Sequence, residues 1–188
     1  MPVAELLRLG TARTIVRWGD PVLHRRARPV TDFGDAFQQL LADMFATNQA
    51  ASGAGLAAQQ IGVDLAAFIY DCTDETGRRR TGVVCNPECE LPEGDERRLV
   101  SYDEGCLSLP GAFVDVDRPD VATCRGFDQY GDPVTLTGGG TFGRCLQHET
   151  DHLNGMVFGD RLSSRKRKQL YRRFEETAAE YPVGWPAE

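Results

Sequence analysis

Histidine is scarce in this chain, with three in 188 residues beside two tryptophans and three methionines. Long apolar runs are missing too, and none approaches the roughly 18 residues that a membrane-spanning helix needs. The start, MPVAELLRLG, has an early acidic residue and no extended apolar segment, so it does not read as a secretory signal. Positive charge is in deficit, with a formal net charge of −7. That balance argues against general nucleic-acid binding, DNA included, while leaving room for a local basic patch. Internal repeats and low-complexity tracts are also lacking. These absences point to one globular domain over residues 1–188, cytoplasmic and not associated with a membrane.

Six cysteines (72, 85, 89, 106, 124 and 145) would suit a disulfide framework in a shorter secreted chain. In a cytosolic protein thiols stay reduced, so Cys72, Cys124 and Cys145 are expected to pack in the interior or line a cavity. Cys85 and Cys89 have the spacing of half a zinc site. No second pair follows, and that reading is set aside.

The first 30 residues read as irregular, with turn signals at Asp20-Pro21 and Arg28-Pro29. Phe37, Leu40, Leu41, Met44 and Phe45 then form the stripe of an amphipathic helix. Strand-like segments follow at 65–72, 82–90, 97–105, 121–128 and 133–138, the last two joined by a hairpin loop at 129–132. Asn154-Gly155 is a helix stop. A final helix is expected over about 163–180, with a Ser163 or Ser164 cap and Leu170, Phe174 and Ala178 inward. Strands grouped ahead of one central helix indicate an α+β fold.

Two of the three histidines fall in LQHETDHLNG, residues 146–155. His148 and His152 are one helical turn apart, and Cys145, His148, Glu149 and His152 share one face. The pattern H-E-x-x-H presents two imidazoles to a metal ion and a carboxylate to water. A third ligand is still required. The metzincin extension of this motif fails at Phe158, where a histidine would stand. Glu175 and Glu176 lie on a helix dominated by basic residues. The thiolate of Cys106, in YDEGCLSLPG (102–111), is the better choice. Gly105 there allows close approach of the backbone, and Pro110-Gly111 turns the chain back. Two imidazoles and one thiolate leave a fourth position open and suit zinc or Fe(II).

Three stretches, GAGLAAQQIG (53–62), EGCLS (104–108) and QHETDH (147–152), resemble in order and spacing the signature motifs of the peptide deformylases. The likeness extends to IVRWGDPVLHRRARPV (15–30) and VDRPDVATCRGFD, covering roughly residues 13–175. The resemblance implies antiparallel or mixed sheets around a central helix bearing the histidines, with a C-terminal helix beyond. It also implies removal of the formyl group from N-formylmethionyl peptides as they are made, releasing formate.

Carried over residue by residue, Cys106, His148 and His152 become the metal ligands and Glu149 the catalytic acid and base. Gln60 and the Leu107 N–H become donors to the formyl oxygen. Gly55, Ala54 and Cys145 become substrate contacts, with Thr141 and Arg144 beside the methionine pocket. Fe(II) is the metal implied in vivo, with zinc or nickel able to occupy the site. Glu104 is expected to pair with Arg118, and Asp151 to brace the helix or an imidazole. The chain is expected to be a monomer, and the basic run RKRK (165–168) with Arg172 and Arg173 suggests ribosome contact.

Two departures stand out. Gln59 occupies a position where the family usually has proline, which predicts a looser loop. GGGTFGRC (138–145) is richer in glycine than the usual entry to the metal helix. Two other readings compete, a zinc endopeptidase and a catalytically inactive, ribosome-associated metal binder. Phe158 and the EGC loop argue against the first, and intact Gln60 and Glu149 against the second.

Overall fold

The computed structural model describes residues 1–187. Four α-helices, α1 (Val3–Leu9), α2 (Asp35–Ala50), α3 (Gly140–Leu153) and α4 (Ser164–Thr177), accompany seven strands. Strands β1 (Gly55–Ala57), β2 (Ala67–Thr73), β3 (Arg79–Glu90), β6 (Val121–Phe127) and β7 (Pro133–Gly139) form one sheet, in the order β1-β2-β3-β6-β7. Strands β4 (Leu99–Cys106) and β5 (Leu109–Pro119) pair separately. Every pairing is antiparallel.

The larger sheet is covered on both faces, which explains the unbroken apolar run in β2. Ala67 and Ile69 join a core with α2 residues Leu41, Met44 and Phe45. Phe68, Tyr70 and Cys72 point the other way, into a core with Phe142, Cys145 and Leu146 of α3. Alternate side chains of one strand therefore serve opposite layers, as the period of two requires. The helix bearing His148 and His152 is thus packed along the large sheet. A third core joins Val114 and Val116 of β5 to Phe158, Leu162 and Leu170, so α4 packs on the small hairpin and not on the main sheet.

Helix α1, the short strand β1 and strand β5 depart from the sequence expectation. Residues 3–9 form a helix where irregular chain was expected, because Leu6 is fully buried in the α2 core. Strand β5 was not anticipated either. Its burial alternates without a break, with Ala112, Val114, Val116 and Arg118 inside and Phe113, Asp115 and Asp117 outside. The buried member Arg118 disguised the pattern.

The remaining boundaries follow local chemistry. Ser163 caps α4 by accepting from the Lys166 N–H, and Gly155, at φ 78°, ends α3. The Gly155 N–H donates to His152 O and the Met156 N–H to Asp151 O, satisfying the last carbonyls of the helix. All six cysteines are free. Cys85 is buried and donates to Asp128 O, while Cys89 lies opposite Cys124 across the β3–β6 ladder.

Candidate active site

The sequence places His148 and His152 on one face of α3, and the fold brings Cys106 to them from the end of β4. One ligand atom from each of the three lies within 4.8 Å of the others, and all three residues are buried. Cys106 Sγ is 3.3 Å from His152 Nε2. The third histidine, His24, sits elsewhere, in the Pro21–His24 turn, and accepts from the Gly19 N–H. Phe158, where a longer metalloprotease motif needs a histidine, is buried with its ring 5.8 Å from that of His148.

The imidazoles are held in different states. Burial disfavours charge on both. At His148 this is outweighed by hydrogen bonds to Cys106 and Glu104, and its pKa lies well above the ordinary value. Burial and the neighbouring His148 keep His152 well below its ordinary value, hence neutral. His148 Nδ1 meets Glu104 Oε1 at 2.7 Å, which turns Nε2 toward the ligand cluster.

Glu104 is the hub of this brace. Arg118, only 1% exposed, donates Nε and Nη2 to the two Glu104 oxygens at 2.8 and 2.7 Å. Its Nη1 reaches Asp151 Oδ2 at 3.0 Å, and Asp151 is also held by Arg161. Burial works to raise Glu104, but Arg118 and His148 hold it well below the usual carboxylate range. The expected Glu104–Arg118 pair is present. Asp151 braces the helix through two arginines and touches no imidazole. Arg161 was missed, lying beyond the helix with no local motif to mark it.

Glu149 stands beside the ligands, and burial, only partly offset by the charges of His148 and Arg118, pushes it up to about 7. Its Oε2 is buried without a hydrogen-bond partner. Gly55 explains how the carboxylate fits, since a Cβ there would lie 2.9 Å from Glu149 Oε1 and 2.5 Å from Cys145 Sγ. Only glycine allows β1 this close. Gln60 accepts from the Ala57 N–H at 2.9 Å, which leaves its amide nitrogen facing Cys106 Sγ (3.6 Å) and Ser108 Oγ (3.4 Å).

Gln59 does not loosen this loop. It is fully buried and donates to both Val22 O and Arg25 O at 2.8 Å, tying the loop to the N-terminal segment. Asn48 of α2 and Ser108 are further contributors that sequence reasoning missed. Asn48 holds Gly53 O at 2.9 Å. Ser108 lay inside a quoted motif but carried no sign of its role.

A cavity of about 270 Å³ opens over these groups. Ala54, Gly55, Gln60, Leu107, Cys145, His148 and Glu149 line it, with Tyr102, Phe113, Thr141 and Arg144 at its sides. Cys145 Sγ is directed at Ala54 O, 3.5 Å away. One sulfur and two imidazole nitrogens form a donor set that fits a divalent ion with a position left for water, and the unpartnered buried Glu149 oxygen stands beside them.

Residues 12–168 match the polypeptide deformylase family. The chain is 52% identical over 174 residues to peptide deformylase 1 of Streptomyces avermitilis, covering 93% of this chain and 81% of that one. It is 44% identical to a peptide deformylase of Acidothermus cellulolyticus, covering 87% and 86%. Among solved structures, a Legionella pneumophila peptide deformylase superposes with a TM-score of 0.79 at 37% identity, over 90% of this chain and 97% of that one. The Synechococcus elongatus enzyme in complex with actinonin gives 0.77 at 35% identity, over 87% and 86%. Helix, ligand cluster and relatives agree, and the chain is a member of the peptide deformylase family, the metal-dependent enzymes that remove the N-formyl group from nascent peptides.

Proposed function

We propose that this chain deformylates N-formylmethionyl peptides through Glu149 as acid and base, with Cys106, His148 and His152 as ligands of one divalent ion. The observation that carries this reading is the buried, unpartnered oxygen of Glu149 beside three convergent ligand atoms. Fe(II) is the proposed ion in vivo, with zinc or nickel as substitutes, because a thiolate and two imidazoles suit each of them. A divalent ion at these ligands supplies Lewis acidity, lowering the pKa of water in its open position toward about 7.

The chain's own groups do the rest. Glu149 Oε2 has no internal partner to surrender, so it takes a proton from the attacking water and returns it to the departing amine. The Gln60 amide nitrogen, fixed by the Ala57 N–H on its other end, donates to the formyl oxygen as charge develops there. The Leu107 N–H is the second proposed donor. Ala54, Gly55 and Cys145 flank the bound peptide. Glu104 keeps His148 from rotating, through the 2.7 Å contact to Nδ1.

The enzyme is proposed to act as a cytoplasmic monomer. No helix among the described residues is long and apolar enough to cross a membrane. Ribosome contact is proposed through a narrower basic face than the sequence suggested. Lys166, Arg167 and Arg173 donate to the carbonyls of Asp115, Gly159 and Phe113, and Arg172 pairs with Glu176, which leaves exposed Arg165 and Lys168 to meet phosphate.

The test is formate release from formyl-Met-Ala-Ser by anaerobically purified, iron-loaded protein, with Glu149→Ala and Cys106→Ala beside it. Turnover by the wild type, loss in both variants and metal retained only by Glu149→Ala is the expected result. No turnover despite stoichiometric metal, or cleavage of casein-like chains, would overturn the reading.

A further inference from the structure

Cys89 of β3 and Cys124 of β6 are register partners, directly opposite one another in an antiparallel ladder. Side chains at opposed positions share one face of the sheet, with Cα atoms about 4.5–5.5 Å apart. A disulfide needs about 4.4–6.8 Å, so these backbones can carry one without moving. Both thiols turn to the face that α3 covers, Cys124 within the core of Phe142 and Leu146 and Cys89 packed against its margin. Cys124 also meets Thr150, midway between the two histidines of α3.

Access separates the two thiols. Cys89 is half-buried, and the other five cysteines are buried. An oxidant arriving from solvent therefore meets Cys89 first, ahead of the ligand Cys106. Reactivity follows the same order. Contact with Cys124 holds the Cys89 thiol below its ordinary value against the opposing effect of burial, and Arg118 and Arg161 also lower it. Cys124 is pushed up by that contact and by burial, so it keeps its proton. An accessible thiol with a lowered pKa and a second thiol across the ladder form an attacking and a resolving pair.

We propose that Cys89 and Cys124 form a redox site, which one equivalent of hydrogen peroxide converts to a disulfide. The bridge locks β3 to β6 beneath the metal helix and leaves the ligand Cys106 untouched. The Cys89 sulfur attacks one peroxide oxygen, the O–O bond breaks and water departs, leaving a sulfenic acid on Cys89. The Cys124 sulfur then displaces that hydroxyl, which takes the Cys124 proton and leaves as a second water. Two electrons pass from the pair of sulfurs to the peroxide, and a dithiol reductant reverses the change. Disulfides in reducing compartments are commonly transient devices of this kind.

The experiment treats zinc-loaded protein with one equivalent of hydrogen peroxide, zinc having no redox chemistry of its own. Wild type, Cys89→Ser and Cys124→Ala are compared by intact mass, peptide mapping and thermal unfolding. The wild type should lose two hydrogens, regain them with dithiothreitol, and yield a linked Cys89–Cys124 peptide. Its oxidised form should unfold at a higher temperature than the reduced one, since the bridge restricts the unfolded chain. Neither variant should lose two hydrogens, and Cys124→Ala should instead hold one added oxygen on Cys89.

If Cys124→Ala does not fold, Cys89→Ser decides alone. A bridge mapped to another pair, oxygen added at Cys106 ahead of the bridge, or an unchanged mass would overturn the redox site. The same loss of hydrogens in Cys89→Ser would do so too. A Cys89–Cys124 bridge that lowers the unfolding temperature would overturn its role as a lock.

Discussion

The two sheets are built to different standards. In β2 nearly every residue is buried, and neighbouring side chains serve cores on opposite faces. In β4, residues 99–103 are exposed on both faces, and burial begins only at Glu104, two positions before the ligand Cys106. The large sheet with α3 holds the reacting groups from several directions at once. The hairpin delivers one ligand at its buried end and leaves the rest of its length as the flank of the cavity. On the proposed reading, chemistry sits where the structure is over-determined, and recognition where the protein is half open. Arg144 of α3, which donates to Val100 O of β4 and Val116 O of β5, and the Arg118–Asp151 pair tie the two together.

Substitutions separate these regions in order of effect. Cys106→Ala should reduce both bound metal and activity to background, read by metal analysis and formate release, although the residue belongs to the more open sheet. Glu149→Gln should keep metal and fold while kcat falls by about 10²–10⁴. A rate within tenfold of wild type would remove Glu149 from the proton path. Arg118→Met leaves Glu104 and Asp151 facing one another and should cost about 3–5 kcal/mol in chemical denaturation. Shortening a side chain tests the sheets directly. Ile69→Ala in β2 should cost about 2–5 kcal/mol, against under about 0.5 kcal/mol for Val100→Ala in β4. Equal losses would erase the distinction.

A further effect depends on pH. In metal-free protein burial raises Glu149 from 4.5 to about 7, so its ionisation opposes folding. Stability linked to it is full below the unfolded value and is lost as pH climbs from there through about 7. Glu149→Gln should therefore gain stability over metal-free wild type at pH 8, by up to about 3 kcal/mol, and gain nothing near pH 4.5. A constant difference across that range would contradict the burial argument.

What the sequence disclosed was local. His148 and His152 are read from a spacing of four, and the stop after them from Asn154-Gly155, because helix geometry is set within a turn. Cys106 was reached by weighing rival ligands. Distant contacts were less legible. Gln59 was expected to loosen its loop and instead clasps two carbonyls of the N-terminal segment, a contact 34 to 37 residues away in sequence. Strand β5 went unseen because its pattern includes an arginine facing inward, and a buried arginine is plausible only once Glu104 and Asp151 are known to meet it. Helix α1 escaped notice for a similar reason, since Leu6 is buried by α2 and not by its own neighbours.

The clasp on the N-terminal segment also sets an order of assembly during synthesis. The Ala27 N–H donates to Leu153 O at 2.9 Å, and any side chain at Gly155 would strike the backbone of Arg25. The stretch around Arg25 and Ala27 therefore has no final resting place until α3 has left the ribosome. Cys106 emerges 42 residues ahead of His148 and 46 ahead of His152, and until both are out the thiol lacks the pair of histidines with which it would share an ion. Loading of the metal is consequently a late event in the making of this protein, confined to chains that are already almost whole.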